Sequence, residues 1–540
     1  MALLICFALL ILAFFRQIAF GQWDEFLVEC GSSEPIHIPS DDFNAYIVSS
    51  THVPANGLNE GGKWNTYPFC QVWAYIEYGS GDVVNFQLWL PDAEFYNGKY
   101  TAVGNGGMAG YISVWDMMTP LNSGFAVAGG DSGHKSSDNN GGSGAPGVYL
   151  PYLHDLDQTL AWIHNSIAIF TEAATFMISE YYAQEILYKY YVGCSTGGAQ
   201  GFALAQYHPD LFDGIVAGCP GNWYSHLALS FLWNYQQASK LNAFMNQETL
   251  NFITTKAVEA CDTIDGVQDG VIENPLNCDF DIEDLRCPPG VTVIPDAPDN
   301  STVPSSSNSS GVACLSDAQV EATKGIYAGP LDLRSGFNTY PGFDIGSETQ
   351  WLSQEGDLAK GFSIPILQNL VYRDLTYDAS EFDWGNNIGD LDINAGLLID
   401  AISPNLTEFR DAGGKMIVFQ GWTDPYNAAT WPIEHLEQIE SHTGDTSSFF
   451  KLFMIPGGGH CGAASGYPQV PANYQTGVRL RDWVESGVEP QFVVSTSPPD
   501  GSVRTRMLCP WPKVAVYQGG DSESWESYSC GDWLHNGQYW

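Results

Sequence analysis

Six times along this chain an apolar run of strand length ends in a glycine-rich turn. The runs are YTAVGNGGMAG (100–110), FAVAGGDSGH (125–134), LYKYYVGCSTGG (187–198), FDGIVAGCPG (212–221), KMIVFQGWTDP (415–425) and KLFMIPGGGHCG (451–462). A strand loses its polar–apolar alternation when both faces of its sheet are covered, so these runs predict a mostly parallel, buried sheet. Helical patterns lie between them. The stretch 153–183 is predicted to hold two helices. Strands alternating with helices place the chain in the α/β class, with a doubly wound core.

The alternation stops between about residues 226 and 395. That stretch holds four cysteines, two N-glycosylation sequons and the Pro/Ser-rich segment 288–311. It reads as a lid inserted into the core, with the segment as an exposed loop. The expected organisation is a catalytic domain of 22–225 and 396–540 around a lid domain of 226–395. The chain has 540 residues, 44% of them hydrophobic, enough for a large core. Lys and Arg total 20 against 62 Asp and Glu, a net charge of −42. A nucleic-acid binder needs a basic footprint, which this chain lacks, and anionic membranes are disfavoured for the same reason.

One turn carries chemistry. Gly193-Cys194-Ser195-Thr196-Gly197 is G-x-S-x-G, between a strand and the helical AQGFALAQYH. Small neighbours let a strained serine project from the end of a sheet, as in the nucleophile elbow of α/β-hydrolases. A serine hydroxyl needs a base, and the base needs an orienting acid. In α/β-hydrolases these follow in the order Ser, Asp, His, at strand ends. Asp424 follows MIVFQGWT and His460 follows FMIPGGG, so order and context both match. Oxyanion donors are expected from the Thr196 amide and from the early glycine loop, at Gly106 and Gly107.

Cys194 precedes Ser195 and Cys461 follows His460. If the triad assembles, these cysteines lie close together, and in an oxidised protein they should bond. The chain-entropy model gives so long a loop roughly 5–6 kcal/mol. Its positional effect on the base matters more, because catalysis is sensitive to small misplacements. Oxidising conditions are expected. Residues 1–21 read as a signal peptide with an apolar core from Ala2 to Phe15, so the protein should be secreted. Sequons at Asn300, Asn308 and Asn405 agree with export. Loss of the leader removes Cys6 and leaves eleven cysteines, hence one free thiol.

With these motifs in place, the chain resembles the fungal tannase and feruloyl esterase family, which also has bacterial members. The family mark is Cys-Ser, Asp and His-Cys with the two cysteines bonded. The segment VGCSTGGAQGFALAQYHPDLFDGIVAGCPGNW is similar throughout, and MLCPWPKVAVYQGGDSESWESYSC resembles the family's C-terminal disulfide segment. Ala199 departs from the family, where a basic residue is usual, and Cys219 stands where a small residue is typical. Cys219 is therefore expected to be the free thiol. The resemblance implies bridges Cys509–Cys530, Cys261–Cys278, Cys287–Cys314 and Cys30–Cys70. It also implies a structural calcium in the lid. By themselves, Asp262, Asp265 and Asp269 with their glycines read as Asp-Gly turns on an acidic surface. Carried over from the family, the ligands are Asp262, Asp265, the Val267 carbonyl, Asp269 and the Val271 carbonyl.

The resemblance implies a secreted serine esterase acting on phenolic-acid esters of plant material: feruloyl, p-coumaroyl or galloyl. G-x-S-x-G does not separate an esterase from a peptidase with the same triad. A non-catalytic protein holding phenolics or glycans in an aromatic-rich lid is the third reading, since Phe, Trp and Tyr make up 13% of the chain. The complete set of Ser195, Asp424 and His460 disfavours it.

Overall fold

A computed structural model describes residues 30–532, apart from 33–34, 41–42, 140–144 and 291–313. The expected leader and the sequons at Asn300 and Asn308 lie outside the described residues. Asn405 lies within them and is exposed.

The core is one ten-stranded sheet. Its strands are β1 (Ile36–Pro39), β2 (Asn44–Val53), β3 (Phe69–Tyr78), β4 (Asp82–Pro91) and β5 (Lys99–Val103). They continue with β6 (Ala126–Gly130), β7 (Tyr188–Cys194), β8 (Gly214–Gly218), β9 (Lys415–Gly421) and β10 (Phe450–Ile455). The spatial order is β1-β2-β3-β4-β6-β5-β7-β8-β9-β10. From β6 onward every pairing is parallel, while β1 to β4 pair antiparallel and β4 joins β6 antiparallel. The six predicted runs are β5 to β10. The antiparallel half adds four strands that continuous apolar runs do not reveal. Along β3 the inward residues are Val72, Ala74 and Ile76, with Trp73 and Glu77 facing out. That is the alternation of a sheet with one wet face.

Helices cover both faces of the parallel half. On one side lie α1 (Val114–Leu121) and, near the C-terminus, α8 (Thr476–Ser486); Met117, Leu121, Leu480 and Trp483 pack there on Tyr190. On the other side α2 (Ser166–Tyr182) and α3 (Thr196–Tyr207) pack on Tyr191 through Ile167, Phe170 and Phe202. The stretch predicted as two helices is instead nearly one rod. Helix Leu156–Leu160 passes through a π-helical turn, Ala161–Asn165, into α2.

Between β8 and β9 the chain leaves the sheet. It forms α4 (Tyr224–Leu241), α5 (Gln247–Cys261) and α6 (Asp317–Ala328), then a succession of short 3-10 and π turns. Leu250, Ile253, Val320, Phe343 and Trp351 give this region a core of its own. All five expected bridges are present: Cys30–Cys70, Cys194–Cys461, Cys261–Cys278, Cys287–Cys314 and Cys509–Cys530. Cys219 is free and buried. Among the described residues no helix is long and apolar enough to cross a membrane.

Candidate active site

Three strand ends meet at one cavity. Ser195 follows β7 directly, at φ 64° and ψ −121°, and the next residue opens α3. A side-chain-bearing residue rarely adopts this backbone, which is the strain of an elbow. The turn is fixed from both sides: the Ser195 amide donates to the Gly218 carbonyl (2.9 Å) and the Gly221 amide to the Ser195 carbonyl (3.2 Å). Gly193 has to be small, since a Cβ there would fall 2.5 Å from the Gly197 carbonyl oxygen.

Asp424 follows β9 and His460 follows β10. Their loops are tied together, because the Thr423 amide and hydroxyl both donate to the Gly458 carbonyl at 2.9 Å. His460 Nδ1 lies 2.8 Å from Asp424 Oδ2. Asp424 is fully buried. Its Oδ1 accepts the Tyr426 and Asn427 amides (2.8 and 3.0 Å), and its Oδ2 also accepts Gln420 Nε2 (3.0 Å). Burial opposes the charge, but the His460 ring and these amides outweigh it and hold the carboxyl below the usual aspartate range. Tyr426 lies edge-on to the His460 ring, 4.6 Å between centroids. Sequence reasoning missed Gln420, Tyr426 and Asn427. Their only signal is their closeness to Asp424 in the chain.

Ser195 and His460 line one cavity of about 1300 Å³ together with Gly106, Gly107 and Thr196. The Thr196 amide is one of the free donors that every helix N-terminus leaves. Two carbonyls of the glycine loop are engaged by side chains. Gly107 O accepts the Thr196 and Tyr224 hydroxyls (2.7 and 3.1 Å), and Met108 O contacts His134 Nε2 (2.8 Å). The opposite wall comes from the region between β8 and β9, through Leu227, Phe231, Leu358 and Phe362. Tyr111, Trp115 and Asp116 edge the cavity on the α1 side. Burial pushes the Asp116 carboxyl up to about 6, against the nearby Lys63.

Cys194 and Cys461 are bonded across 267 residues, with Cα atoms 5.9 Å apart. The Cys219 thiol sits within 4.8 Å of both sulfurs, and separately within 4.8 Å of Asp424 and His460. It accepts the Cys461 amide at 3.2 Å. Burial first, then the Asp424 charge, pushes this thiol well above its ordinary pKa, so it stays protonated.

The acidic loop lies in the region between β8 and β9. Asp262 Oδ1 accepts the amides of Asp269, Gly270 and Val271 (3.0, 2.9 and 3.2 Å), and Asp265 Oδ1 accepts that of Val267 (3.0 Å). Asp262, Asp265 and Asp269 do not close to within 4.8 Å of one another as a trio. Asp269 Oδ2 pairs with Arg506 at 2.8 Å, while its Oδ1 is buried without a protein partner. Burial pushes the Asp265 carboxyl up to about 6, with Glu273 and Asp269 adding to the effect and Arg506 opposing it. An all-oxygen donor set with an orphaned buried oxygen and surplus negative charge fits a hard cation such as calcium.

Known proteins share this architecture. An uncharacterized esterase of Xanthomonas campestris is 29% identical, covering 90% of this chain and 89% of that protein. Feruloyl esterase C of Talaromyces stipitatus is 27% identical, over 92% of this chain and 93% of its own. The crystal structure of feruloyl esterase B from Aspergillus oryzae matches with a TM-score of 0.77 at 24% identity, covering 92% of this chain and 98% of that one. Tannin acyl hydrolase from Aspergillus niger matches at 0.73 and 20% identity, covering 94% and 92%. These two likenesses establish the α/β-hydrolase fold. The sequence model of the tannase and feruloyl esterase family matches residues 70–531. The chain belongs to that family and, with it, to the carboxylic ester hydrolases.

Proposed function

We propose that this protein is a secreted serine esterase that releases phenolic acids (ferulate, p-coumarate or gallate) from plant esters, including esters carried on polysaccharide. Ser195 Oγ attacks the ester carbonyl. His460 takes its proton and then gives it to the leaving alcohol, and water hydrolyses the acyl-enzyme by the reverse sequence. Asp424 holds the His460 tautomer and offsets the imidazolium charge. The amides of Thr196, Gly106 and Gly107 receive the oxyanion. The region 226–395 acts as the lid, and its apolar side chains Leu227, Phe231, Leu358 and Phe362 suit a flat aromatic acyl group.

The observation that carries this reading is the 2.8 Å contact of His460 with a fully buried Asp424, in the cavity that Ser195 enters from a strained elbow. A binding protein gains nothing from burying that charge. Family membership favours esters over the amides of a peptidase. Secretion is supported by the apolar leader and by five disulfides. Calcium would be held by Asp262, Asp265, Asp269 and the carbonyls of Val267 and Val271, where it would supply structural cross-linking of the loop.

The test is Ser195→Ala, assayed on methyl ferulate, methyl p-coumarate and methyl gallate. Activity on every ester should fall by roughly 10³-fold or more, with the melting temperature retained, as for removal of a triad nucleophile. A folded variant with near wild-type turnover would remove the serine mechanism.

A further inference from the structure

The glycine loop that offers Gly106 and Gly107 runs from β5 to α1, and its first residues are held by one buried polar cluster. Asn105 stands at the start of the loop and is 4% exposed. Its Nδ2 donates to the Tyr111 carbonyl (2.7 Å), which closes the loop on itself, and to the Gly130 carbonyl at the end of β6 (2.9 Å). Its Oδ1 accepts the Ser132 hydroxyl at 2.6 Å. Gln200 faces it from α3, five residues after Ser195, and is completely buried. Gln200 Oε1 accepts the Asn105 amide at 3.0 Å. Gln200 Nε2 donates to the Trp162 carbonyl (2.8 Å) and to Ser132 Oγ (3.2 Å).

The Trp162 carbonyl is available because residues 161–165 form a π turn, and such turns leave carbonyls out of the α ladder. The backbones meet closely at the same place. A Cβ on Gly104 would fall 2.8 Å from Gly197 Cα and 2.9 Å from Gln200 Oε1. The start of the loop is thus bonded directly to the helix that carries Ser195, while Gly107 and Met108 are held further along by Tyr224 and His134.

We infer that Gln200, acting through Asn105, is a positioning residue for the oxyanion hole: it sets the Gly106 and Gly107 amides at a fixed distance from Ser195. This rests on the serine mechanism proposed above. An oxyanion donor works only if it is already in place when charge develops, and a shift near 1 Å costs on the order of 100-fold in rate. Gln200 touches neither substrate nor reacting atoms. Its effect should therefore appear in the transition state and spare ground-state binding.

The experiment compares Gln200→Met, Ser132→Ala and Ser195→Ala on an ester that the wild type turns over. A fluorophosphonate titration run to completion counts reactive sites in the wild type, Gln200→Met and Ser132→Ala, so their kcat is expressed per site, and Ser195→Ala, with no serine to react, is referred to folded protein. Gln200→Met should lower kcat by about 10- to 100-fold with KM within about threefold. An arylboronic acid, which forms a tetrahedral adduct on the serine, should lose affinity by a similar factor. Ser132→Ala removes one member of the cluster and should show the same pattern at smaller size. Wild-type kcat per site and wild-type boronate affinity in Gln200→Met would overturn the inference. So would a loss that falls equally on KM and kcat in both variants. If Ser195→Ala itself kept its turnover, the underlying mechanism would fall first. If Ser195→Ala were inactive while Gln200→Met behaved as wild type, only the positioning role would be lost.

Discussion

The elbow at Ser195 and the acidic loop at Asp262 are both short, glycine-containing and tied by a disulfide, yet they are held by opposite means. The elbow is held by the sheet. Its backbone bonds to β8, and Cys194–Cys461 fastens it to the segment after β10, 267 residues away. The acidic loop is held by charge. Cys261–Cys278 closes only 17 residues, and the loop's carboxylates are held in part by its own amides and by Arg506 from the C-terminal strands, with Asp269 Oδ1 left over. Backbone ladders define position to a fraction of an ångström. Buried ion pairs define it only while every partner is present. A site that must place a base against a nucleophile is built on the first kind.

The sharpest way to break this contrast is to remove the two bridges separately. Cys194→Ala with Cys461→Ala should lower kcat by roughly 30- to 100-fold, since His460 would no longer be pinned against Ser195. Cys261→Ala with Cys278→Ala should leave kcat near wild type at low temperature. In the chain-entropy model both pairs lose stability, roughly 5–6 kcal/mol for the long loop and about 3 for the short one. Only one pair loses turnover per folded site. Equal kcat in both variants would show that the elbow does not need its bridge.

Removing the proposed calcium acts on the other member of the comparison. A chelator should lower the melting temperature, because an ion bound only by the folded state stabilises it by mass action. Turnover measured well below the transition should hardly change. Arg506→Gln should deepen the chelator's effect, leaving Asp269 and Glu273 buried without their guanidinium. Immediate loss of turnover in folded, chelated protein, restored by calcium, would place the metal in the reaction and erase the distinction between the two loops.

The same contrast explains what could be read in the chain. β5 to β10 are runs of local apolar residues, and Ser195, Asp424 and His460 at the ends of such runs are visible from position alone. β1 to β4 carry a period of two, which a search for continuous runs passes over although Val72, Ala74 and Ile76 display it. Helix α2 reads as helical, but the π turn before it has no local signature. Its Trp162 carbonyl meets Gln200 across the core. Arg506 was illegible for the same reason: nothing near it in sequence announces Asp269 or Glu273, more than 230 residues upstream. Contacts within a turn of chain are written locally. Contacts that close polar clusters are not.

The effect that should touch turnover least is on the pH dependence of stability, where the two regions should differ in sign. Asp424 has a lowered pKa, so its contribution to stability is present above the unfolded aspartate value, about 3.9, and is lost as pH falls through the folded one. Asp344, beside α5 and α6, behaves in the reverse way. Its Oδ2 is sealed from solvent without a partner. Burial pushes its carboxyl up to about 8, with Glu348 and Glu434 adding and the Ala429 amide opposing. The folded state then keeps a proton that the unfolded chain has released between about pH 4 and about 8. Stability must fall across that window as pH rises. Asp344→Asn keeps the neutral shape and removes the titration, so its melting temperature should decline less from pH 5 to pH 8 than that of the wild type. Thermal melts at unit pH intervals measure this directly. Parallel curves for the two proteins would mean that Asp344 is ionised in the folded state, and that the region between β8 and β9 tolerates a buried charge as well as the catalytic half does.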